Sequence, residues 1–215
     1  MRLHPIVSTS LAALLLGPLA GCYSYAERTS AEAAGKQAAV SRPAPKAPVR
    51  LEAAAGLPVI RLAVAERQVI PAYAAPGREP NVEHRMKASL QAVAASWARA
   101  NVRAVGTRGR ARVIVRRASI VAVKLKRKGG VSGLFRKEPS TRFNGVLALA
   151  IEVRDDKGDL LGRVSAKASR SREVLEGSSE ADRKALWRAM AERLVAATAR
   201  ELERQVALRL TRFAR

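Results

Sequence analysis

The side chains that could carry out covalent or metal chemistry are few and lie far apart along the chain. Cys22 is the only cysteine in 215 residues, and it follows a short apolar run that ends in small residues. The only histidine beyond that cysteine is His84. A Cys/His nucleophile pair or a His/Cys metal cluster needs more such side chains than this. We therefore expect no catalytic residue, no metal site and no cofactor.

Two local patterns resemble functional motifs but lack residues that those motifs require. A Ser-His-Asp triad would have to use His84, which the apolar spacing places on the polar side of a helix, and no Gly-x-Ser-x-Gly turn exists. Residues 155–159 (DDKGD) look like the start of a calcium loop, but no glutamate follows at the required spacing. This segment predicts a hairpin turn instead.

Residues 1–21 have the features of a signal peptide: Arg2 at the start, an apolar stretch over 11–16, and small residues before Cys22. The apolar stretch is shorter than the roughly 20 residues that a membrane-spanning helix needs. The ending Leu19-Ala20-Gly21-Cys22 resembles the bacterial lipobox, which directs lipid attachment to the cysteine and cleavage before it. The alternatives are an ordinary secretory peptide and a buried apolar helix with a chance cysteine.

The lipobox resemblance implies a location for the protein. The mature chain would begin at Cys22, carry acyl chains there, and stay at a membrane without a spanning helix. In lipoproteins of this kind an aspartate after the cysteine often retains the protein on the inner membrane, whereas here Tyr23 follows. We therefore expect a lipid anchor on the periplasmic face of the outer membrane.

The chain is strongly basic, with a formal net charge of +22. Residues 1–21 contain one arginine and no acid, so the processed chain would keep a net charge of +21. Such a charge attracts polyanions. Outside the inner membrane these are lipopolysaccharide, phospholipid head groups, and teichoic or peptidoglycan carboxylates; in the cytoplasm nucleic acid would come first. A solvated basic surface without a partner is the alternative.

Composition divides the chain into three parts. We expect residues 1–21 to be a signal peptide and 22–56 to be a lipidated, disordered tether, because the latter are rich in alanine and proline, including SRPAPKAP at 41–48. Residues 57–215 have the composition of one globular domain, long enough to bury a core. The first element predicted in this domain is a buried strand over 57–65, followed by a loop over 70–80.

Apolar spacing predicts the elements that follow this loop. A helix begins at Asn81 with Glu83 in its first turn, and its apolar stripe consists of Val82, Met86, Leu90, Val93 and Trp97. Strands follow over 102–105 and 111–125. The alternation of the second strand slips near Arg116 and Arg117, which indicates a β-bulge.

In the second half of the domain, the residue pattern predicts a hairpin and a long helix. One face of a strand consists of Phe143, Gly145, Leu147, Leu149, Ile151 and Val153, whereas Asn144, Glu152 and Arg154 occupy the other face. A turn at 155–159 leads to a strand over 160–171. Ser179 with Asp182 predicts the start of the last helix, whose apolar side is Leu186, Met190, Leu194, Ala197, Leu202 and Val206.

These elements predict an α+β fold, a two-layer sandwich with a mainly antiparallel sheet of four to five strands and two helices packed on one face. Their order, behind a lipobox and a tether, resembles the lipopolysaccharide-assembly lipoprotein LptE and the auxiliary lipoproteins of ABC-type lipid transport systems. The resemblance covers the signal and the topology of residues 57–207, and it transfers no binding residue. It implies that the protein acts as a scaffold, plug or adaptor for a larger envelope complex, without a cofactor and without catalysis.

The connection over residues 124–142 is the candidate binding segment. Cations flank an apolar tip, an arrangement that suits an anionic lipid surface, where each Lys or Arg adds about 1 kcal/mol. A solvated hairpin loop is the alternative. Nucleic acid is disfavoured because the segment offers a single aromatic ring. The candidate residues are Lys126, Arg127, Lys128, Leu134, Phe135, Arg136 and Lys137.

The function predicted from the sequence is that of a non-enzymatic, membrane-anchored lipoprotein. It would act as a scaffold or adaptor in envelope assembly or in lipid or lipopolysaccharide transport. Its partners would be the membrane, through lipidated Cys22, an envelope protein, and anionic lipid or lipopolysaccharide. The alternatives are a basic nucleic-acid-binding protein, if residues 1–22 are not a signal, and a degenerate hydrolase that depends on His84.

Overall fold

Two sheets and two α-helices form the part of the chain that the structure, a computed structural model, describes: residues 56–126 and 139–215. The strands are β1 (Ile60–Leu62), β2 (Glu66–Pro71), β3 (Val102–Ala104), β4 (Arg110–Lys124), β5 (Pro139–Arg154) and β6 (Leu160–Leu175). The helices are α1 (Leu90–Asn101) and α2 (Glu180–Arg209), and a short 3-10 helix covers Glu83–Arg85. This is the predicted α+β class.

The larger sheet has the strand order β2-β4-β5-β6. The pairs β4-β5 and β5-β6 are antiparallel, whereas the short β2 lies parallel to β4 at one edge. β1 and β3 form a separate parallel pair. Residues 110–115 of β4 and 143–149 of β5 alternate between buried and more exposed positions because one face of the sheet is covered, as expected for period-two side chains. Residues 118–120 and 149–153 are buried on both faces.

Both helices pack on that covered face, as predicted. Its residues on β5, including Phe143 and Leu149, are buried, and Trp97 of α1 and Trp187 of α2 are fully buried. Gly145 lets α2 approach β5 closely: a Cβ there would lie 2.8 Å from Leu194 Cδ1. The result is a two-layer sandwich with its core between sheet and helices.

The strand predicted over 57–65 is present but shorter, as β1, and the sequence analysis missed a second strand, β2, which follows it in the other sheet. β1 pairs with β3, and β2 covers Glu66–Pro71, which includes the start of the predicted loop. Between them the chain crosses from one sheet to the other. There Gly106 approaches so closely that a Cβ on it would lie 2.4 Å from the carbonyl carbon of Ala63.

The helix predicted to begin at Asn81 begins at Leu90 instead. Ser89 caps α1 by accepting a hydrogen bond from the Ala92 N–H at 3.2 Å. The segment before it lies alongside β4, because Val82 N–H donates to the Ile120 carbonyl and Ala122 N–H to the Pro80 carbonyl. The buried Glu83 carboxylate accepts from the Ile120 N–H. Of the predicted stripe, Leu90, Val93 and Trp97 are buried on α1.

Three other local predictions are confirmed. The β4 register shifts between Val115 and Arg117, where the bulge was expected. β5 and β6 form the predicted hairpin, with a β6 longer than expected. Ser179 and Asp182 form a reciprocal capping box at the start of α2.

The apolar side of α2 needs one correction. Ala197 is exposed rather than buried, and Trp187, which was not included in the predicted stripe, is fully buried. Ala197 lies three residues after Leu194, whereas the buried residues Met190, Leu194, Thr198, Leu202 and Val206 recur at a step of four. Thr198 and Ala199 therefore occupy the buried side instead of Ala197.

Candidate functional site

The open face of the large sheet, which carries no described helix, bears eight cations. A Cβ on Gly145 would lie against Leu194 of α2, and a Cβ on Gly162 would lie against Leu210 at the end of this helix. The residues that alternate with these glycines along β5 and β6 therefore point to the open face. The register places Arg110 beside Arg154, and Glu152 between Arg112 and Arg163. The eight cations of this face are Arg110, Arg112, Arg116, Arg117, Arg142, Arg154, Arg163 and Lys167, of which Arg142 is paired with Glu173.

The β4 bulge puts two consecutive arginines on this face. Val115 lies opposite Leu149 and Arg117 opposite Ala148, so Arg116 has no residue opposite it. Arg116 and Arg117 are both exposed, whereas Val115 is buried. In a regular strand one of two successive side chains would point into the core. The bulge therefore adds one cation to the open face.

Four of these arginines surround one buried carboxylate, and we call this group the arginine cluster. Glu152 is 2% exposed. Arg154 Nη2 lies 3.0 Å from Glu152 Oε2, and Arg163 Nε donates to Oε1 at 3.1 Å. Arg112 Nη1 and Arg116 Nη2 lie 3.9 and 4.0 Å from the same carboxylate. One negative charge thus faces four positive ones.

The arginines keep Glu152 ionised. Hydrogen bonds from Arg163 are the main cause that lowers the pKa of Glu152; burial opposes them, and bonds from Arg154 together with both positive charges add to them. Because the carboxylate stays negative at neutral pH, the cluster has an excess of three positive charges. That excess lies on the open face of the sheet.

This arrangement can bind anions but offers few aromatic side chains on which nucleic-acid bases could stack. The four arginine side chains are 27 to 47% exposed, and guanidinium groups bind carboxylates and phosphates through paired N–H donors. Arg112 Nε is buried without an acceptor among the described residues. The described strand residues of this face include no aromatic ring, whereas sheet surfaces that bind nucleic acid stack bases on aromatic side chains.

The basic segment predicted from the sequence lies mainly outside the described residues. Of its seven candidate residues, Lys126 is described and exposed, just beyond the end of β4. Arg127, Lys128, Leu134, Phe135, Arg136, Lys137 and Cys22 fall in the undescribed ranges. Lys126 and the arginine cluster belong to opposite ends of β4, because Arg112 and Lys124 are separated by about 40 Å of extended strand.

The remaining predictions concern His84, a metal site and a membrane-spanning helix. His84 is exposed on the 3-10 helix rather than on a longer helix. Within residues 56–126 and 139–215, no three His, Cys, Asp or Glu side chains come together to form a metal site. No helix in these ranges is long and apolar enough to cross a membrane.

The chain was compared with protein-family models, curated proteins and solved structures. No family model and no curated protein matches it. Among solved structures, a predicted lipoprotein from Caulobacter crescentus is 14% identical, covering 66% of this chain and 88% of its own, at a TM-score of 0.36. A minor lipoprotein from Acinetobacter baumannii is 11% identical, covering 73% and 96%, at 0.38. PelC from Paraburkholderia phytofirmans, a dodecamer, is 16% identical, covering 66% and 90%, at 0.24.

Two of these three proteins are called lipoproteins. TM-scores this low do not establish a shared fold. The functional proposal therefore depends on the residues around Cys22 and on the arginine cluster.

Proposed function

We propose that the protein is a non-enzymatic lipoprotein of the bacterial envelope that presents the open sheet face to an anionic surface. The observation that carries the binding part is the arginine cluster, where four guanidinium groups face one buried carboxylate. Phosphate or carboxylate groups of anionic lipid or lipopolysaccharide have the matching charge. The protein would act as a scaffold or adaptor in envelope assembly or lipid transport, with an envelope protein as a further partner.

The anchor in this proposal is Cys22. Acyl chains on this residue would hold the protein at the periplasmic face of the outer membrane, and residues 22–56 would connect the anchor to the domain that begins at Leu57. In a bilayer each methylene of an attached chain adds about 0.8 kcal/mol. More than one chain therefore gives stable attachment without a spanning helix.

Changing Cys22 to alanine is expected to abolish fatty-acid labelling and to move the protein out of the detergent-rich phase. The parent chain should incorporate labelled palmitate and sediment with outer-membrane markers. The measurement is metabolic labelling followed by detergent partitioning and density fractionation. An unlabelled parent chain recovered from the cytoplasm would rule out the anchor and favour the nucleic-acid-binding alternative.

The basic segment beyond β4 is proposed as a second anionic contact. Replacing Lys126, Arg127, Lys128, Arg136 and Lys137 by glutamine should remove the salt-dependent part of binding that this segment contributes, because salt screens charges over about 8 Å at physiological ionic strength. Changing Leu134 and Phe135 to serine should instead weaken binding equally at low and high salt, since burial of apolar side chains does not depend on screening.

The measurement for both variants is cosedimentation with anionic vesicles at two salt concentrations, with the melting temperature as the control for folding. If the glutamine variant binds like the parent chain, the segment is only a solvated connection. The open sheet face would then be the sole contact in this proposal.

A further inference from the structure

A cavity of about 310 Å³ lies where the covered face of the sheet extends past the start of α2. Its apolar wall consists of Val82, Ala122, Phe143 and Trp187. Phe143 and Trp187 meet edge to face with ring centroids 5.4 Å apart. The cavity is separate from the arginine cluster, because its strand residues alternate onto the opposite face of the sheet.

Cations occupy the rim of this cavity. One acid, the exposed Glu79, also lines the cavity, and its Oε1 lies 4.0 Å from Arg85 Nη1. Arg85 is therefore already neutralised: its Nη2 also lies 2.6 Å from Glu180 Oε2, and its guanidinium carbon lies 5.5 Å from the Trp187 ring centroid. Lys124 and Arg183 also line the cavity, and neither forms an ion pair with any acid among the described residues. The rim therefore has positive charge available for a ligand.

Two residues that line the cavity each have a buried donor without an acceptor. Trp187 is fully buried, and neither its Nε1 nor Arg183 Nε has a hydrogen-bond partner in the described part of the chain. Leaving a buried donor unsatisfied is costly, so such groups call for an explanation. A ligand oxygen beside Arg183 and Trp187 would provide the missing acceptor.

We propose that this cavity binds a single-chain amphiphile with an anionic head group. The chain would contact Phe143 and the Trp187 ring, and carboxylate or phosphate oxygens would accept hydrogen bonds from Arg183 Nε and Trp187 Nε1. If each non-hydrogen atom takes roughly the 30 Å³ of a water molecule, the cavity holds on the order of ten such atoms. This proposal requires neither the lipidation of Cys22 nor anion binding at the arginine cluster.

The test is calorimetric titration of the full chain, carrying Cys22→Ala so that no acyl chain of its own competes. The probes are octanoate, octyl phosphate and octanol, unbranched eight-carbon molecules that differ in the head group. We expect octanoate or octyl phosphate to bind about tenfold or more tightly than octanol, as for a hydrogen bond to a charged group. The tighter of the two anions identifies the head group.

Two variants locate the binding. Arg183→Gln should weaken binding of the anionic probes about tenfold and leave octanol unaffected, whereas Ala122→Leu should abolish binding of all three by filling the cavity. Arg188→Gln, at an exposed position outside the cavity on the same helix, is the matched control and should bind like the parent.

Three results would overturn the proposal: no binding of either anion, octanol binding as tightly as the anions, or equal affinities in the Arg183→Gln and Arg188→Gln variants. Arg183 is partly exposed, so its replacement tests the site even if Ala122→Leu does not fold.

Discussion

Glutamine in place of Glu152 is expected to lower the free energy of unfolding by about 2–3 kcal/mol at pH 7. Removing one partner of a buried ion pair typically costs 3–5 kcal/mol, because it leaves the other charge uncompensated. Here the four arginines are 27 to 47% exposed, so water screens part of their mutual repulsion and the loss is smaller. The measurement is urea unfolding of the parent and the variant.

The difference between parent and variant should shrink in acid. Because the arginines lower the pKa of folded Glu152, the unfolded chain takes up a proton there first as the pH falls. The stabilisation is therefore fully present above the unfolded pKa of about 4.3 and is lost as the pH falls through the folded pKa. Asp156, Asp182 and Glu201 also have lowered pKa values, but both proteins share them, so they cancel in the difference.

Glu203→Gln makes the same chemical change at an exposed position of α2. We expect it to alter the unfolding free energy by less than about 0.5 kcal/mol, as is usual for surface substitutions. If Glu152→Gln behaves like this control at pH 7, the carboxylate does not stabilise the cluster and the excess charge is tolerated by solvation alone.

Replacing Arg110, Arg117 and Lys167 by glutamine is expected to weaken binding to anionic vesicles by about a hundredfold. Each cation near an anionic surface contributes about 1 kcal/mol, and 1.4 kcal/mol corresponds to tenfold. These three side chains are exposed and lie outside hydrogen-bonding distance of Glu152, so the arginine cluster stays intact. The measurement is vesicle cosedimentation at low salt.

The matched control replaces Arg193, Arg200 and Arg204, three exposed arginines of α2, by glutamine. It changes the net charge equally but leaves the open sheet face untouched. Equal loss of binding in both triple variants would show that only total charge matters, and would remove the sheet face from the proposal. A larger loss in the sheet variant supports a specific orientation on the membrane.

The long strands could be predicted because each alternates along one buried face. For β5, the residues from Phe143 to Val153 repeat every second position, and a one-residue slip would expose all of them. The same reasoning located the β4 bulge, where the alternation breaks. These features are local, and the sequence of a single segment is enough to show them.

The missed elements depend on contacts between distant parts of the chain. β2 is mostly polar or half-buried and has no apolar period; its position is defined by parallel pairing with β4. Val82 and Met86 have helical spacing, but the backbone bonds to β4 and the Glu83 carboxylate on the Ile120 N–H fix this segment against the sheet. Helix propensity is a weak preference that such tertiary contacts override.

The arginine cluster could not be predicted for the same reason. Glu152 and Arg154 were placed on one face of β5, but Arg112 and Arg163 join them only through the register of three strands. Spacing along the chain does not show which arginine lies across from which acid. The basic segment at 124–142, in contrast, is conspicuous in the sequence because its charges are contiguous.

The bulge in β4 also makes the length of this strand adjustable by one residue. If Arg116 were deleted, Val115 would still lie opposite Leu149, and the next residue would continue opposite Ala148 without interruption. The side chains that point into the core, such as Val113, Val115, Ala118 and Ile120, would all keep their orientation. Deletion at this single place would therefore change the charge and twist of the outer surface while the side chains of the core keep their orientation.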